Sequence, residues 1–392
     1  MNTPAQGDEG FGLYVHWPFC LSKCPYCDFN SHVAERIDQS VWRDSLLTEL
    51  ATTAARAPDR VLTSIFFGGG TPSLMDPATT ADIIEAARRH WRTANDLEIT
   101  LEANPGTVDS DRFHAIRAAG VGRLSMGVQA LNENDLRFLG RRHNVDEARK
   151  AWRAAAKIFP RVSFDLIYAR PHQTEQAWRA ELTEALREVA DHGITHLSLY
   201  QLTMEEGTAL FDAHRRGEFI LPDDDAGAAL YDITQEICER AGYPAYEISN
   251  HAKDNAVCRH NLTCWRGGDY AGVGPGAHGR LTVDGVPRAT RQIKAPALWL
   301  KRGAAEGHGT QEEEPLTLHT RARELVMVGL RLAEGIDKQR FARLTEGGLD
   351  QVIDPGAVTA LVGTGHLTDT PTRLTATPKG RLALNAVLRE LL

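Results

Sequence analysis

Cys20, Cys24 and Cys27 stand in the segment Tyr14-Val-His-Trp-Pro-Phe-Cys20-Leu-Ser-Lys-Cys24-Pro-Tyr-Cys27-Asp-Phe-Asn, and their Cx3Cx2C spacing reads as three thiolates for an iron–sulfur cluster. A 4Fe-4S cubane normally takes four thiolates. No fourth cysteine lies nearby, so one iron would stay open for an exchangeable ligand. In radical chemistry that ligand is S-adenosylmethionine (SAM), which a reduced cluster cleaves to a 5′-deoxyadenosyl radical. A Cys3His zinc site drawing on His16 or His32 is the rival reading, but zinc more often takes paired CxxC knuckles and there is no second pair. Disulfides fit less well still: the first ten residues lack the charged and apolar regions of a secretory signal, which points to the cytoplasm. Cys238, Cys258 and Cys264 are scattered, and each reads as a small buried hydrophobe.

Positioning three thiolates needs a sizeable scaffold, and the chain supplies one. Its 392 residues, 42% hydrophobic and 24% charged, suffice for two or three domains with full cores. A net charge of −8 argues against general nucleic-acid binding. No apolar run approaches the roughly 18 residues of a membrane span.

Between residues 12 and 203 short β-rich runs alternate with helical patterns. Strands are predicted at Leu13 to His16, Ser64 to Phe67, Leu97 to Glu102, Arg123 to Gly127, Val162 to Tyr168 and Thr195 to Leu202. The intervening stretches, such as Val41 to Arg56 with Val41, Trp42, Leu46, Leu47 and Leu50 on one face, read as helices. Six β/α units in succession imply a parallel sheet of α/β class, curved into a partial (β/α)6 barrel. Ligands of such folds bind at the C-terminal edge of the strands. Polar or glycine-rich residues follow nearly every strand there: the cysteine loop, Gly68-Gly-Gly70-Thr71-Pro72, Glu102-Ala-Asn104-Pro105, Gln129, Asp165, and Tyr200-Gln201. Each alone could be a turn or a satisfied core group; together at one edge they outline a site.

These residues carry a resemblance. Cx3Cx2C after a first strand, GGGTP after the second and Glu after the third are similar to the radical SAM superfamily. The phrases YVHWPFCLSKCPYCDFNSH, FFGGGTPSL, LEANPGTVD, RLSMGVQALNENDLRFLGRRH and DLIYARPHQT resemble its HemN/HemW branch from about residue 11 to the C-terminus. That branch comprises oxygen-independent coproporphyrinogen III dehydrogenases and related haem chaperones. The resemblance implies that Cys20, Cys24 and Cys27 hold a 4Fe-4S cluster, that Tyr14 and Tyr26 line the SAM pocket, and that Gly69, Gly70 and Thr71 meet the methionine moiety. Glu102, Gln129, Arg141 and Asp165 would hold the remaining polar parts of SAM. One loop departs: where the family commonly reads Tyr-Gly-Leu-Pro-Gly-Gln-Thr, this chain has Tyr168-Ala-Arg-Pro-His172-Gln-Thr, which puts the shape of that loop in question.

Farther on, Asp223 to Ala241 reads as an amphipathic helix and Tyr246 to Ser249 as a strand. Arg259-His260-Asn-Leu-Thr-Cys264-Trp265 resembles the HNxxYW motif of the chaperones, with Cys264 in the Tyr position. From the residues alone His260 is more readily a satisfied structural histidine; the resemblance implies a haem ligand. Gly274-Pro-Gly276-Ala-His-Gly279 is a formal GxGxxG, but no hydrophobic strand is read before it and a hairpin, not a helix, is read after it, so it reads as a structural loop flanking the barrel mouth.

The expected organisation is a flexible N-terminus over 1–10, a radical SAM partial barrel over 11–215, and a barrel extension over 216–305. A linker over Glu306 to Glu314 then leads to a winged-helix-like HemN-type C-terminal domain over 315–392. Ten basic against eight acidic residues give that last domain a net charge of only +2, so it reads as a cap or docking module with no nucleic-acid partner.

Two functions follow from the resemblance. One is a haem chaperone that binds haem and passes it to client haem proteins, respiratory ones among them, with peripheral membrane contact through a client and a homodimer as further expectations. The other is coproporphyrinogen III dehydrogenation by radical decarboxylation. The chaperone is favoured because Phe29 stands where the dehydrogenases carry a further Cys, only thirteen residues precede Tyr14, and the HNxxYW-like motif is present. No catalytic residue is assigned.

Overall fold

The computed structural model describes residues 7–34 and 36–392. All six expected strands are present: β1 (Phe11–Trp17), β2 (Val61–Gly69), β3 (Arg92–Ala103), β4 (Arg123–Gln129), β5 (Arg161–Tyr168) and β6 (His196–Gln201). They pair in that order, each parallel to the next. Their sequences are nearly continuously buried; in β1 only Tyr14 is partly exposed. Such strands need cover on both faces, and the crossover helices supply the outer one.

Those helices are α1 (Gln39–Ala55), α2 (Pro77–His90), α3 (Ser110–Ala118), α4 (Val145–Ile158) and α5 (Glu175–Asp191). Each opens on a side chain that accepts a first-turn backbone N–H: Asp38, Asp76, Asp109, Asn144 and Thr174. A cap of this kind contributes about 1 kcal/mol and fixes where the helix starts. The caps therefore set the length of each loop that leaves a strand, and these loops share the C-terminal edge of the sheet.

The sheet runs on past the expected barrel in both directions. After α6 (Asp224–Arg240), β7 (Asn250–Ala252) adds antiparallel to β6. After α7 (Arg259–Trp265), β8 (Asp269–Val273) adds parallel to β1. β9 (His278–Val283), β10 (Val286–Gln292) and β11 (Thr310–Pro315) continue antiparallel from β8. Three expectations are corrected here. Glu306 to Glu314 is not a linker, because it ends one helix and forms most of the edge strand β11, whose glutamates cross to basic residues of β10. Tyr246 to Ser249 is irregular, and the strand lies just beyond it. A strand, β8, does lead into Gly274, but a strand and not a helix follows, so no helix N-terminus is offered to a pyrophosphate.

The glycine loop nevertheless supports the site from behind. Glu49, buried on α1, accepts the N–H groups of Gly274 and Gly309 at 2.6 Å each and that of Trp299 at 3.1 Å. Burial pushes its carboxyl up to about 7, against the pull of those donors. Next along, the Pro275 carbonyl accepts Asn30 Nδ2 at 2.8 Å, tying the loop to the segment that carries the cysteines.

The C-terminal domain builds a separate core from Leu325, Val326, Phe341, Leu374 and Val387. Helices run over Leu318–Gly329, Lys338–Thr345 and Pro355–Gly363, and β12 (Ile336–Asp337) joins β13 (Leu367–Asp369) and β14 (Arg373–Ala376) in a three-stranded sheet. Ion pairs clamp it to the barrel: Arg266 to Glu334 at 2.8 Å, Arg343 to Glu9 at 2.6 Å, and Arg340 to Asp8. Of the expected flexible N-terminus, residues 1–6 lie outside the described residues, whereas Asp8 and Glu9 are held by these pairs. Among the described residues no helix is long and apolar enough to cross a membrane.

Candidate cofactor site

The loop after β1 and the C-terminal ends of β2 to β5 enclose one chamber. Cys20, Cys24, Cys27, Tyr26, Gly69, Gly70, Thr71, Glu102, Gln129, Arg141 and Asp165 all line it. Residues up to 145 positions apart in sequence thus converge as the strand-edge argument requires.

Each cysteine has a side-chain partner. Thr71 Oγ1 donates to Cys20 Sγ at 3.3 Å, Arg141 Nη1 to Cys24 Sγ at 3.4 Å, and Ser31 Oγ lies 3.8 Å from Cys27 Sγ. Burial pushes the Cys20 and Cys27 thiols up, with the Thr71 and Ser31 hydroxyls opposing it. Such donors favour thiolate sulfur and tune a bound cluster. Thr71 accordingly faces the cluster side, in addition to the methionine side expected for it. Ser31 was missed in the sequence; its signal was only its place four residues beyond Cys27.

The polar wall opposite is unusual in being incompletely paired. Glu102 Oε2 accepts the Gly69 N–H at 3.3 Å. Burial, and then the charge of Asp165, raises the Glu102 carboxyl to about 8, and burial raises Asp165 to about 6. Asp165 Oδ1, Gln129 Oε1 and Arg141 Nε are buried without a hydrogen-bond partner. Buried polar atoms are rarely left so, and each marks a place for a ligand group. A carboxylate pair, an amide oxygen and a guanidinium beside three thiols fit both groups that the resemblance implies: a cluster on Cys20, Cys24 and Cys27, and a cationic, hydroxyl-bearing ligand such as SAM on Glu102, Gln129, Arg141 and Asp165. Bound there, a cluster with SAM would supply one-electron chemistry.

Gly70 has a further reason to be glycine. A Cβ there would lie 2.7 Å from the Phe19 carbonyl oxygen, so a larger residue would displace the cysteine loop itself, before any question of ligand approach.

Two expected residues are placed elsewhere. Tyr14 lies beneath the chamber wall, its ring under Gly68 and its hydroxyl 3.0 Å from His16 Nδ1. His260, on α7, sits in the barrel floor: Nδ1 is 3.2 Å from Ser64 Oγ, and the ring stacks on Phe66 at 5.1 Å and Tyr14 at 6.1 Å. Gly12 closes the remaining side, where even a Cβ would come within 2.9 Å of Nδ1. Burial holds His260 neutral, lowering it to about 4, and pushes the Cys264 thiol up to about 12, so Cys264 is a neutral thiol in an apolar setting.

The altered loop after β5 keeps a left-handed backbone without its glycines. Ala169 has φ 57° and His172 φ 61°. Arg170 between them is fully buried and compensates by bonding Glu181 at 3.2 Å and Asp135 at 3.0 Å, while Glu181 also accepts the Leu131 N–H. The left-handed conformation is strained for an L side chain with a Cβ. Ala169→Gly and His172→Gly are therefore expected to raise unfolding stability by about 0.5–1 kcal/mol each, Ala169 the more, as read by urea denaturation. A loss of stability in both would mean that the loop adopts another backbone.

On the far side of Thr71 and Asn104 a cleft of about 540 Å³ opens between α3 and α4, with Arg142 and Lys150 on its rim. Beside the chamber, Phe29 is 60% exposed and lines its outer wall with Tyr200.

Residues 14–185 match the Radical SAM superfamily and residues 316–383 the HemN C-terminal domain. The heme chaperone HemW of Escherichia coli is 37% identical over 379 residues, covering 96% of each chain. The mitochondrial radical S-adenosyl methionine domain-containing protein 1 of Bos taurus is 39% identical over 344 residues, 86% of this chain and 77% of that one. Among solved structures, the coproporphyrinogen III oxidase HemN of Escherichia coli superposes with a TM-score of 0.79 at 22% identity, covering 98% of this chain and 91% of that one.

Proposed function

Because this chain belongs to the radical SAM superfamily and, within it, to the HemN/HemW branch, we propose that it is a cytoplasmic haem chaperone, binding haem and handing it to client haem proteins, with a 4Fe-4S cluster and exchangeable SAM in the chamber. The observation that carries the reading is the near full-length similarity to a protein named as a heme chaperone, at 37% identity. The structural likeness to coproporphyrinogen III oxidase, at 22% identity, speaks for the fold alone. Phe29 supports the same side: the position carries an exposed phenyl ring on the chamber wall instead of a further thiol. Homodimerisation and contact with a membrane-bound client belong to this reading.

In this conformation His260 does not offer Nδ1 to haem iron, because Nδ1 is 3.2 Å from Ser64 Oγ and lies close against Gly12, while Phe66 and Tyr14 stack on the buried ring. His260→Ala is therefore expected to cost about 2–4 kcal/mol of stability, as removal of a buried ring does, and to leave haem affinity and the Soret position unchanged. A weakened or shifted Soret band in the folded variant would return His260 to the haem site.

The test of function uses one anaerobically reconstituted preparation for two assays. Haem titration should give a saturable Soret change, and coproporphyrinogen III should not be turned over. Multiple turnovers to protoporphyrinogen would overturn the chaperone reading.

A further inference from the structure

The register of the parallel sheet breaks once beside the chamber. β4 and β5 pair residue by residue from Arg123 with Arg161 to Gly127 with Asp165; then Gln129 stands opposite Leu166, so Val128 is an extra residue. Gln129 has φ 76°, a left-handed backbone carrying a full side chain, and it lines the chamber with its Oε1 unpartnered. A bulge of this kind takes backbone groups off the ladder, and buried ones must find other partners.

Two side chains from one short segment meet the two carbonyls at the break. Arg141 Nη2 donates to the Gly127 oxygen at 2.7 Å, and His143 Nε2 lies 3.1 Å from the Val128 oxygen. A carbonyl only accepts, so Nε2 carries the hydrogen and His143 is the Nε2–H tautomer. The ring is 3% exposed, and burial, then the Arg141 charge, keeps it neutral by lowering it to about 4. Arg141 already reaches Cys24 and Tyr26. His143 touches neither the cysteines nor the chamber, which leaves its buried hydrogen bond to be explained.

We propose that His143 is a positioning residue for the SAM pocket: its Nε2–H holds the Val128 peptide, and so the left-handed turn that aims Gln129 into the chamber. The inference rests on the reading of Gln129 as a SAM-binding residue. Without the bond the Val128–Gln129 peptide would be free to relax toward an extended backbone, which swings the Gln129 side chain off the chamber wall. The cysteine loop, held by Asn30 and Thr71, would stay in place.

The test is SAM titration of the anaerobically reconstituted, reduced protein, followed through the change that SAM makes in the cluster's EPR signal. His143→Ala is expected to weaken SAM binding about tenfold, the size of one lost buried hydrogen bond, with iron content and the SAM-free EPR signal unchanged. His143→Gln, whose amide can still donate, should recover part of that loss. His143→Phe fills the space without a donor and serves in place of the alanine variant if that does not fold. Gln129→Ala should weaken SAM by itself, and in that background His143→Ala should add nothing. Equal SAM affinity in every His143 variant, or losses that add in the double variant, would overturn the proposal. Unchanged affinity in Gln129→Ala alone would remove Gln129 from the SAM site and the proposal with it, while a His143 effect seen only in the thermal midpoint, with SAM affinity unchanged, would mark a purely structural role and overturn it.

Discussion

Replacing Cys20, Cys24 or Cys27 singly by Ala removes most of the charge-transfer absorbance of thiolate-bound iron after anaerobic reconstitution, and most of the iron with it. In the proposed site each of the three thiols would supply one of the cluster's protein ligands, and the chamber has no spare sulfur to take its place: the other three thiols are at the barrel floor and in the helical layer, with burial pushing Cys238, Cys258 and Cys264 up to about 12. Alanine at those three positions is the control and should leave the cluster unchanged. The three chamber variants should also differ in a second respect. Cys24→Ala takes from the buried Arg141 Nη1 one of its two partners, leaving the Tyr26 hydroxyl at 3.4 Å, whereas Cys27→Ala frees only the Ser31 hydroxyl. Stability of the cluster-free protein should therefore fall more in Cys24→Ala. Stoichiometric zinc without iron, in the parent protein, would sink the assignment.

Glu102→Gln has the second large effect, and it acts in opposite directions on stability and on SAM. In the SAM-free protein the Glu102 carboxyl is raised from about 4.5 to about 8 by burial and by Asp165, and Asp165 itself from 3.8 to about 6. A raised carboxyl contributes stability that is fully present below its unfolded value and is lost as pH rises through its folded value. The urea midpoint of reduced, cluster-free, SAM-free protein should thus fall between about pH 4.5 and 8. Glu102→Gln is neutral throughout, so its curve should be flatter and its stability at pH 8 higher than the parent's. SAM brings a positive charge that a carboxylate pair can meet; the same substitution should weaken its binding by more than tenfold at pH 7.5, a loss of about 1.4 kcal/mol or more. A parent-like slope of stability against pH in Glu102→Gln would show that Glu102 is not the titrating group, and undiminished SAM binding would remove it from the ligand site.

Much of this was legible in the residues alone. The Cx3Cx2C spacing lies within eight residues, and the alternation of buried strands with capped helices is local too, so both are written in neighbouring side chains. Once the strands were read as parallel, their C-terminal edge had to carry the site, and Glu102, Gln129 and Asp165 do meet the cysteines there. What the sequence could not decide are relations set by register and burial. The glutamates at 312–314 look like linker residues until basic residues of β10 stand across from them. For His260 the residues alone favoured a structural histidine and the resemblance a haem ligand, and the choice turns on burial, with Gly12, Ser64 and Phe66 packed around its ring. The loop at Ala169 and His172 lost its glycines yet kept its left-handed turns, because the buried Arg170 finds Glu181 and Asp135 on other elements. His143 shows the same principle most sharply: a one-residue shift between β4 and β5 creates an unpaired carbonyl at Val128, and only the folded chain brings an imidazole fifteen positions away to satisfy it.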